Sequence, residues 1–155
     1  MPFERDVLMA TAPAKKVLVV EDNELNMKLF CDLLDAFGFQ TVESCDGLKA
    51  VDLARQHKPD LIIMDIQLPE VSGLDLTRWI KDDTQINKIP IMAVTAFAMR
   101  QDERLVREAG AEAYMSKPIQ MTPFIDTVKR LTGMRANGGA PSPNPPRSAP
   151  RRAAR

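Results

Sequence analysis

Lys58-Pro59-Asp60-Leu61-Ile62-Ile63-Met64-Asp65-Ile66-Gln67-Leu68-Pro69-Glu70-Val71-Ser72-Gly73-Leu74 is the stretch on which the fold turns. Leu61–Met64 is an unbroken apolar run held between Pro59 and Asp65. It is too short for a helix and shows no alternation, so it reads as a strand buried on both faces. Val17–Val20 and Ile91–Val94 repeat the pattern. Pro90 stands at the entry to the second of these, where it costs no interior ladder bond. Thr41–Ser44 and Ala113–Ser116 are more mixed, as strands with less cover at a sheet edge would be.

Amphipathic segments lie between these runs. Leu25, Leu29, Phe30, Leu33, Leu34 and Phe37 fall at helical spacing and predict a buried stripe, with Gly38 as its stop. Met121, Phe124, Ile125, Val128 and Leu131 predict a second stripe. Gly47–Gln56, Ser72–Lys81 and Ala98–Ala109 fill the remaining positions; Gly110 ends the last, and His57 is expected to cap a helix end before Pro59. Strands and helices therefore alternate, which demands a parallel sheet covered on both faces. The expected class is α/β, with five strands; the order 2-1-3-4-5 of flavodoxin-like sheets follows by analogy.

The chain has 155 residues, 45% of them hydrophobic and 27% charged, which suits one globular domain with short tails. The domain is expected over 15–132, after a flexible leader over 1–14. The net charge is zero, yet 133–155 holds five arginines and no acid, so the remainder carries −5. That Gly/Pro/Arg-rich tail buries too little apolar surface to order itself and is expected to be disordered. No apolar run is long enough to span a bilayer, and Glu4, Arg5 and Asp6 interrupt any signal peptide, so the expected location is the cytoplasm, away from membranes. Cys31 and Cys45 are isolated, and with His57 as the one histidine a zinc site is not expected.

In an open parallel sheet the working site lies beyond the carboxyl ends of the strands. The residues there are Glu21 and Asp22, Asp65, Thr95 and Lys117, the last followed by Pro118. Singly, each has a plain alternative: the acidic pair could cap the next helix, Asp65 could be a loop residue, Thr95 a turn residue and Lys117 a solvated charge. Together, three acids at one rim repel one another and call for a cation. Carboxylate oxygens suit Mg²⁺ (or Mn²⁺). Asp65 beside such an ion and a lysine could act as a nucleophile toward a phosphoryl donor, with Lys117 neutralising charge and Thr95 donating a hydrogen bond.

These residues resemble the response-regulator receiver family: Glu21-Asp22, then Asp65 followed by Pro69 and Gly73, then Thr95-Ala96, then Lys117-Pro118, in that order across about Lys15–Leu131. VEDNELNMKLF (20–30), 58–74 and AVTAFAM (93–99) are similar to the single-domain regulators of bacterial cell-cycle control within that family. The resemblance implies that Asp65 is the phosphoacceptor and that Asp22 binds the metal directly, with Glu21 acting through water. The backbone carbonyl of Gln67 would complete the metal's protein ligands. Thr95 and Lys117 would hold the phosphoryl group, and Lys117-Pro118 would be cis. Thr95 and Tyr114 are implied as the switch pair; the plainer alternative for Tyr114 is an edge-strand tyrosine with a wet hydroxyl. Gln67 and Phe97 are implied to tune phosphoryl lifetime.

The implied partners are sensor histidine kinases or phosphotransfer proteins as donors, and a downstream regulatory protein bound through the 98–131 face. The implied location is polar within the cytoplasm, and the chemistry is confined to self-catalysed phosphotransfer and autodephosphorylation. Two other function classes are weaker. An aspartate-nucleophile phosphatase would carry a second acid two residues after Asp65, where Gln67 stands. Nucleic-acid binding through the arginine tail would be weak and salt-sensitive.

Overall fold

The computed structural model of the chain describes residues 14–96 and 100–133, and of 100–102 the backbone alone. Apart from Ala14 and Gly133, the expected leader and tail lie outside the described residues, and so does Phe97. The strands are β1 (Lys16–Val20), β2 (Gln40–Ser44), β3 (Leu61–Asp65), β4 (Ile91–Thr95) and β5 (Ala113–Ser116). The helices are α1 (Glu24–Ala36), α2 (Ala50–His57), α3 (Gly73–Asp82), α4 (Arg100–Ala109) and α5 (Met121–Thr132). All strand pairs are parallel, in the order β2-β1-β3-β4-β5. The expected fold class and strand order are thus both present.

Period-two alternation divides each central strand between two cores. Val17, Val19, Leu61, Ile63, Met92 and Val94 face α1 and α5, packing with Phe30, Leu34, Phe124, Ile125 and Val128. Leu18, Val20, Ile62, Met64, Ile91 and Ala93 face α2, α3 and α4, packing with Ala54, Leu76, Ile80 and Val106. That double burial is why β1, β3 and β4 read as continuous apolar runs. The Phe30 and Phe124 rings, 5.5 Å apart, tie α1 to α5; each fully buried ring contributes ~2–3 kcal/mol.

Four details differ from the sequence expectation. On α1 the buried stripe is Met27, Phe30 and Leu34, whereas Leu25 is 79% exposed and Leu29 and Phe37 are also open to solvent. Helical spacing selects a face but not its orientation; the packing of Phe30 against α5 does that. Met121 is likewise 54% exposed, since it opens α5 beyond the end of the core. Third, the segment expected as one helix over 47–56 is a 3₁₀ turn, Gly47–Lys49, followed by α2. His57 is not the cap of α2 but its last residue; Lys58 takes the C-cap in the left-handed region at φ 48° and donates its N–H to the Ala54 carbonyl.

Candidate functional site

The carboxyl ends of β1, β3, β4 and β5 bring Glu21, Asp22, Asp65, Thr95 and Lys117 to one rim. Asp65 and Thr95 are the last ladder residues of their strands, with Asp65 opposite Val94 and Thr95 opposite Ser116. The sheet itself therefore holds their backbones. The acidic pair is not the cap of α1. Asn23 is: its Oδ1 accepts the Asn26 N–H at 3.0 Å, leaving the two acids free of that role. The Asn23 N–H instead donates to Glu21 Oε2 at 3.1 Å.

Glu21 and Asp65 are 1% and 2% exposed, while Asp22 faces solvent. Glu21, Asp22 and Asp65 each offer an oxygen within 4.8 Å of the others. Lys117 Nζ donates to Glu21 Oε1 at 2.9 Å and to Asp65 Oδ2 at 3.4 Å, and the Gln67 N–H donates to Asp65 Oδ1 at 2.9 Å. Burial, then the neighbouring Asp65 charge, push the Glu21 carboxyl above its ordinary value of 4.5, with the Lys117 hydrogen bond opposing them. Three carboxylates facing one ammonium leave two negative charges in excess when all are ionised. That excess, and a donor set made only of hard oxygens, fits a divalent ion such as Mg²⁺.

The same balance gives a stability prediction. A folded-state pKa raised above the unfolded value means that Glu21 favours the fold below about 4.5 and that this contribution is lost as pH rises through its folded value. Lys117→Met removes the opposing ammonium and leaves two buried carboxylates uncompensated. The variant is expected to lose roughly 3 kcal/mol at neutral pH and to recover much of it in acid. Urea unfolding of both proteins at acidic and neutral pH checks this; an equal deficit at both would count against the charge balance.

The remaining expected residues fall around this centre. Thr95 is buried at the end of β4, and the Lys117 N–H donates to its carbonyl at 2.8 Å. Lys117-Pro118 is cis. Tyr114 lies on edge strand β5, half-buried against the α2–α4 core. The Gln67 side chain reaches across the rim, where its Oε1 accepts the Ala96 N–H at 3.1 Å. Nothing in the linear sequence signals that bond. Cys31 is half-buried and its thiol is pushed up to about 11 by burial; Cys45 is exposed, and both are free thiols. Among the described residues no helix is long and apolar enough to cross a membrane.

Residues 17–129 match the response regulator receiver domain family. The chain belongs to that family. This receiver domain is 60% identical over 119 residues to the polar-differentiation response regulator DivK of Brucella anthropi, covering 77% of this chain and 97% of the relative. It is also similar to the receiver domain of a sensor histidine kinase from Pseudomonas aeruginosa, solved with a magnesium ion coordinated in its active site cleft. That match has 30% identity and a TM-score of 0.73, covering 78% of this chain and 99% of the other. The signal receiver domain of a signal transduction histidine kinase from Syntrophus aciditrophicus matches at 30% identity and a TM-score of 0.72, with coverages of 83% and 99%. The chain is thus a response regulator of two-component signalling, a signalling protein rather than a conventional enzyme.

Proposed function

We propose that this response regulator accepts a phosphoryl group on Asp65 from a histidine kinase or phosphotransfer protein and signals by phosphorylation-dependent protein–protein contact. The observation that carries the reading is the pairing of one buried aspartate with Lys117 inside an acidic cage. An Asp65 oxygen attacks phosphorus, a P–O bond forms as the donor's P–N bond breaks, and the imidazole nitrogen keeps the electron pair. Lys117 Nζ, already against Asp65, neutralises charge building on the transferring oxygens. Thr95 donates its hydroxyl to one of them.

Asp22 and Asp65, with Glu21 through water and the Gln67 carbonyl, would hold Mg²⁺ (or Mn²⁺). Such an ion supplies Lewis-acid neutralisation of the phosphoryl oxygens. The reading of Mg²⁺ is supported by the charge excess in the cage and by the magnesium ion in the Pseudomonas relative.

Phosphorylation adds a charge of about −1.5 to −2 and three strong acceptors. Drawing Thr95 toward that charge leaves room for Tyr114 to turn inward and alters the α4–β5–α5 surface, where a downstream regulator would bind. Loss of the group by autodephosphorylation resets the domain, with Gln67 and Phe97 tuning its lifetime. The 60% identity to DivK supports a role in polar cell-cycle control. The test is phosphotransfer from histidine kinases of the source organism, followed by borohydride reduction and peptide mapping. An acid-stable, hydroxylamine-labile phosphoryl label is the expected result, with homoserine at position 65 once borohydride has reduced the acyl phosphate and phosphate has left; homoserine at any other position refutes the assignment.

A further inference from the structure

Acids outnumber bases on one flank of α1. A groove of about 540 Å³ runs between α1 and the edge strand β2 and reaches Glu21 and Asp22 of the acidic cage. The buried Met27 and the half-buried Cys31 lie at its base, with Glu24, Asp32 and Glu43 exposed around them. Lys28 is the one base among its described lining residues, and it is already paired with Asp32 at 3.0 Å. Glu21 is paired with Lys117. Among the described residues no ion pair neutralises Asp22, Glu24 or Glu43, whereas Asp52, Asp75, Asp83, Glu103 and Glu112 each have a lysine or arginine partner. The groove therefore keeps three uncompensated carboxylates around an apolar base.

We propose that the chain's own basic segment 147–155, which carries Arg147, Arg151, Arg152 and Arg155, docks in this groove and competes there with a divalent ion for the acids of the cage. The competition rests on the metal reading given above; the docking does not. The segment lies outside residues 17–129, which match the family, and holds no acid of its own. Its reach is sufficient. Gly133 closes α5 near the base of α1, where Lys129 Nζ stands 5.2 Å from the centroid of the Phe37 ring. Helix α1 has 13 residues and is about 20 Å long, and the groove flanks it between Glu24 and Asp32. Arg147 stands 14 residues beyond Gly133, a contour of up to about 46 Å. Each guanidinium is a planar fork of donors that fits a carboxylate and gives up its water readily. Exposed pairs of this kind are individually weak, so the free segment would bind only in the millimolar range. Tethering raises its effective concentration to the same millimolar range, which fills the groove in about two-thirds of molecules. An ion that needs the empty groove then binds with its dissociation constant raised about threefold.

The test uses the full chain throughout. A tail variant combines Arg147→Gln, Arg151→Gln, Arg152→Gln and Arg155→Gln; a groove variant combines Glu24→Gln with Glu43→Gln. At low ionic strength the NMR amide positions of Lys28 and Glu43 are expected to differ between wild type and the tail variant. They are expected to coincide in about 1 M salt, where the screening length falls to about 3 Å. With Mg²⁺ alone as probe, calorimetry at low salt is expected to show the tail variant binding about threefold more tightly than wild type. In the groove background the same four tail substitutions should change nothing, since the coupling between two contacting sites vanishes once one of them is removed. Equal Lys28 and Glu43 positions at low salt overturn the docking, and so do displacements spread evenly over the acidic surface of the domain. Displacements in the groove with an unchanged Mg²⁺ constant overturn the competition. A threefold gain that survives in the groove background overturns it too, because net charge alone would then explain the gain. Failure of wild type to bind Mg²⁺ overturns the metal reading instead, and the amide comparison still judges the docking.

Discussion

Asp65→Asn is expected to remove all phosphoryl labelling while making the metal-free protein more stable. An amide oxygen is too poor a nucleophile to accept phosphorus, so the loss should be complete, not graded. The gain in stability has a separate cause. Asp65 is almost fully buried beside Glu21, and its charge helps to raise the Glu21 carboxyl. An asparagine there can still accept the Gln67 N–H through Oδ1, but it no longer repels Glu21, and Lys117 is left with one buried carboxylate to neutralise. A gain of ~1 kcal/mol at neutral pH is expected from urea unfolding without divalent ions. Adding Mg²⁺ should narrow the difference, because an ion that binds only the folded wild type stabilises it by mass action. A variant that still labels, or one destabilised at neutral pH, would contradict the charge balance in the cage.

Gly73→Ala should damage both the fold and the site, although alanine is the better helix former by ~1 kcal/mol. A Cβ at Gly73 would lie 2.4 Å from the Asp65 carbonyl oxygen and 2.7 Å from Ile66 Cα. Both are backbone atoms of the central strand and its exit, so neither can rotate away. Relief requires α3 to move off β3, straining the Gly73 to Ile66 bond and shifting the main chain that carries Asp65. The expected loss is roughly 3 kcal/mol in urea unfolding, with phosphoryl acceptance slowed about 100-fold by the misplaced nucleophile. Gly38→Ala supplies the contrast. Its Cβ meets nothing within 4 Å and its φ is 89°, so only the backbone conformation is strained, costing about 1 kcal/mol and leaving labelling intact. Equal effects from the two substitutions would show that the close approach at Gly73 is not what seats Asp65.

The two glycines illustrate how differently a sequence reveals its constraints. Gly38 follows a helical stripe, and a stop there is legible from local spacing. Gly73 is legible only as a position in a spaced motif, because its constraint is a contact with residues seven and eight positions earlier. The same division runs through the site. Glu21, Asp22, Asp65, Thr95 and Lys117 could be picked out because each closes or follows an apolar run, and parallel strands must end on one rim. The exposure of Leu25 and Leu29 could not, since helical periodicity leaves the burial of flanking residues to the partner helix.

Alternation of short apolar runs with amphipathic segments is enough, in this chain, to specify a parallel α/β sheet and to gather its acids at one end, because backbone hydrogen bonding and double burial leave few other arrangements. Distances are another matter. That Lys117 sits between Glu21 and Asp65, that Asn23 and not the acidic pair caps α1, and that Gln67 holds Ala96 are all decided by tertiary structure. Each joins groups whose approach depends on how helices pack across the sheet, a three-dimensional balance of volume and charge that no local pattern encodes.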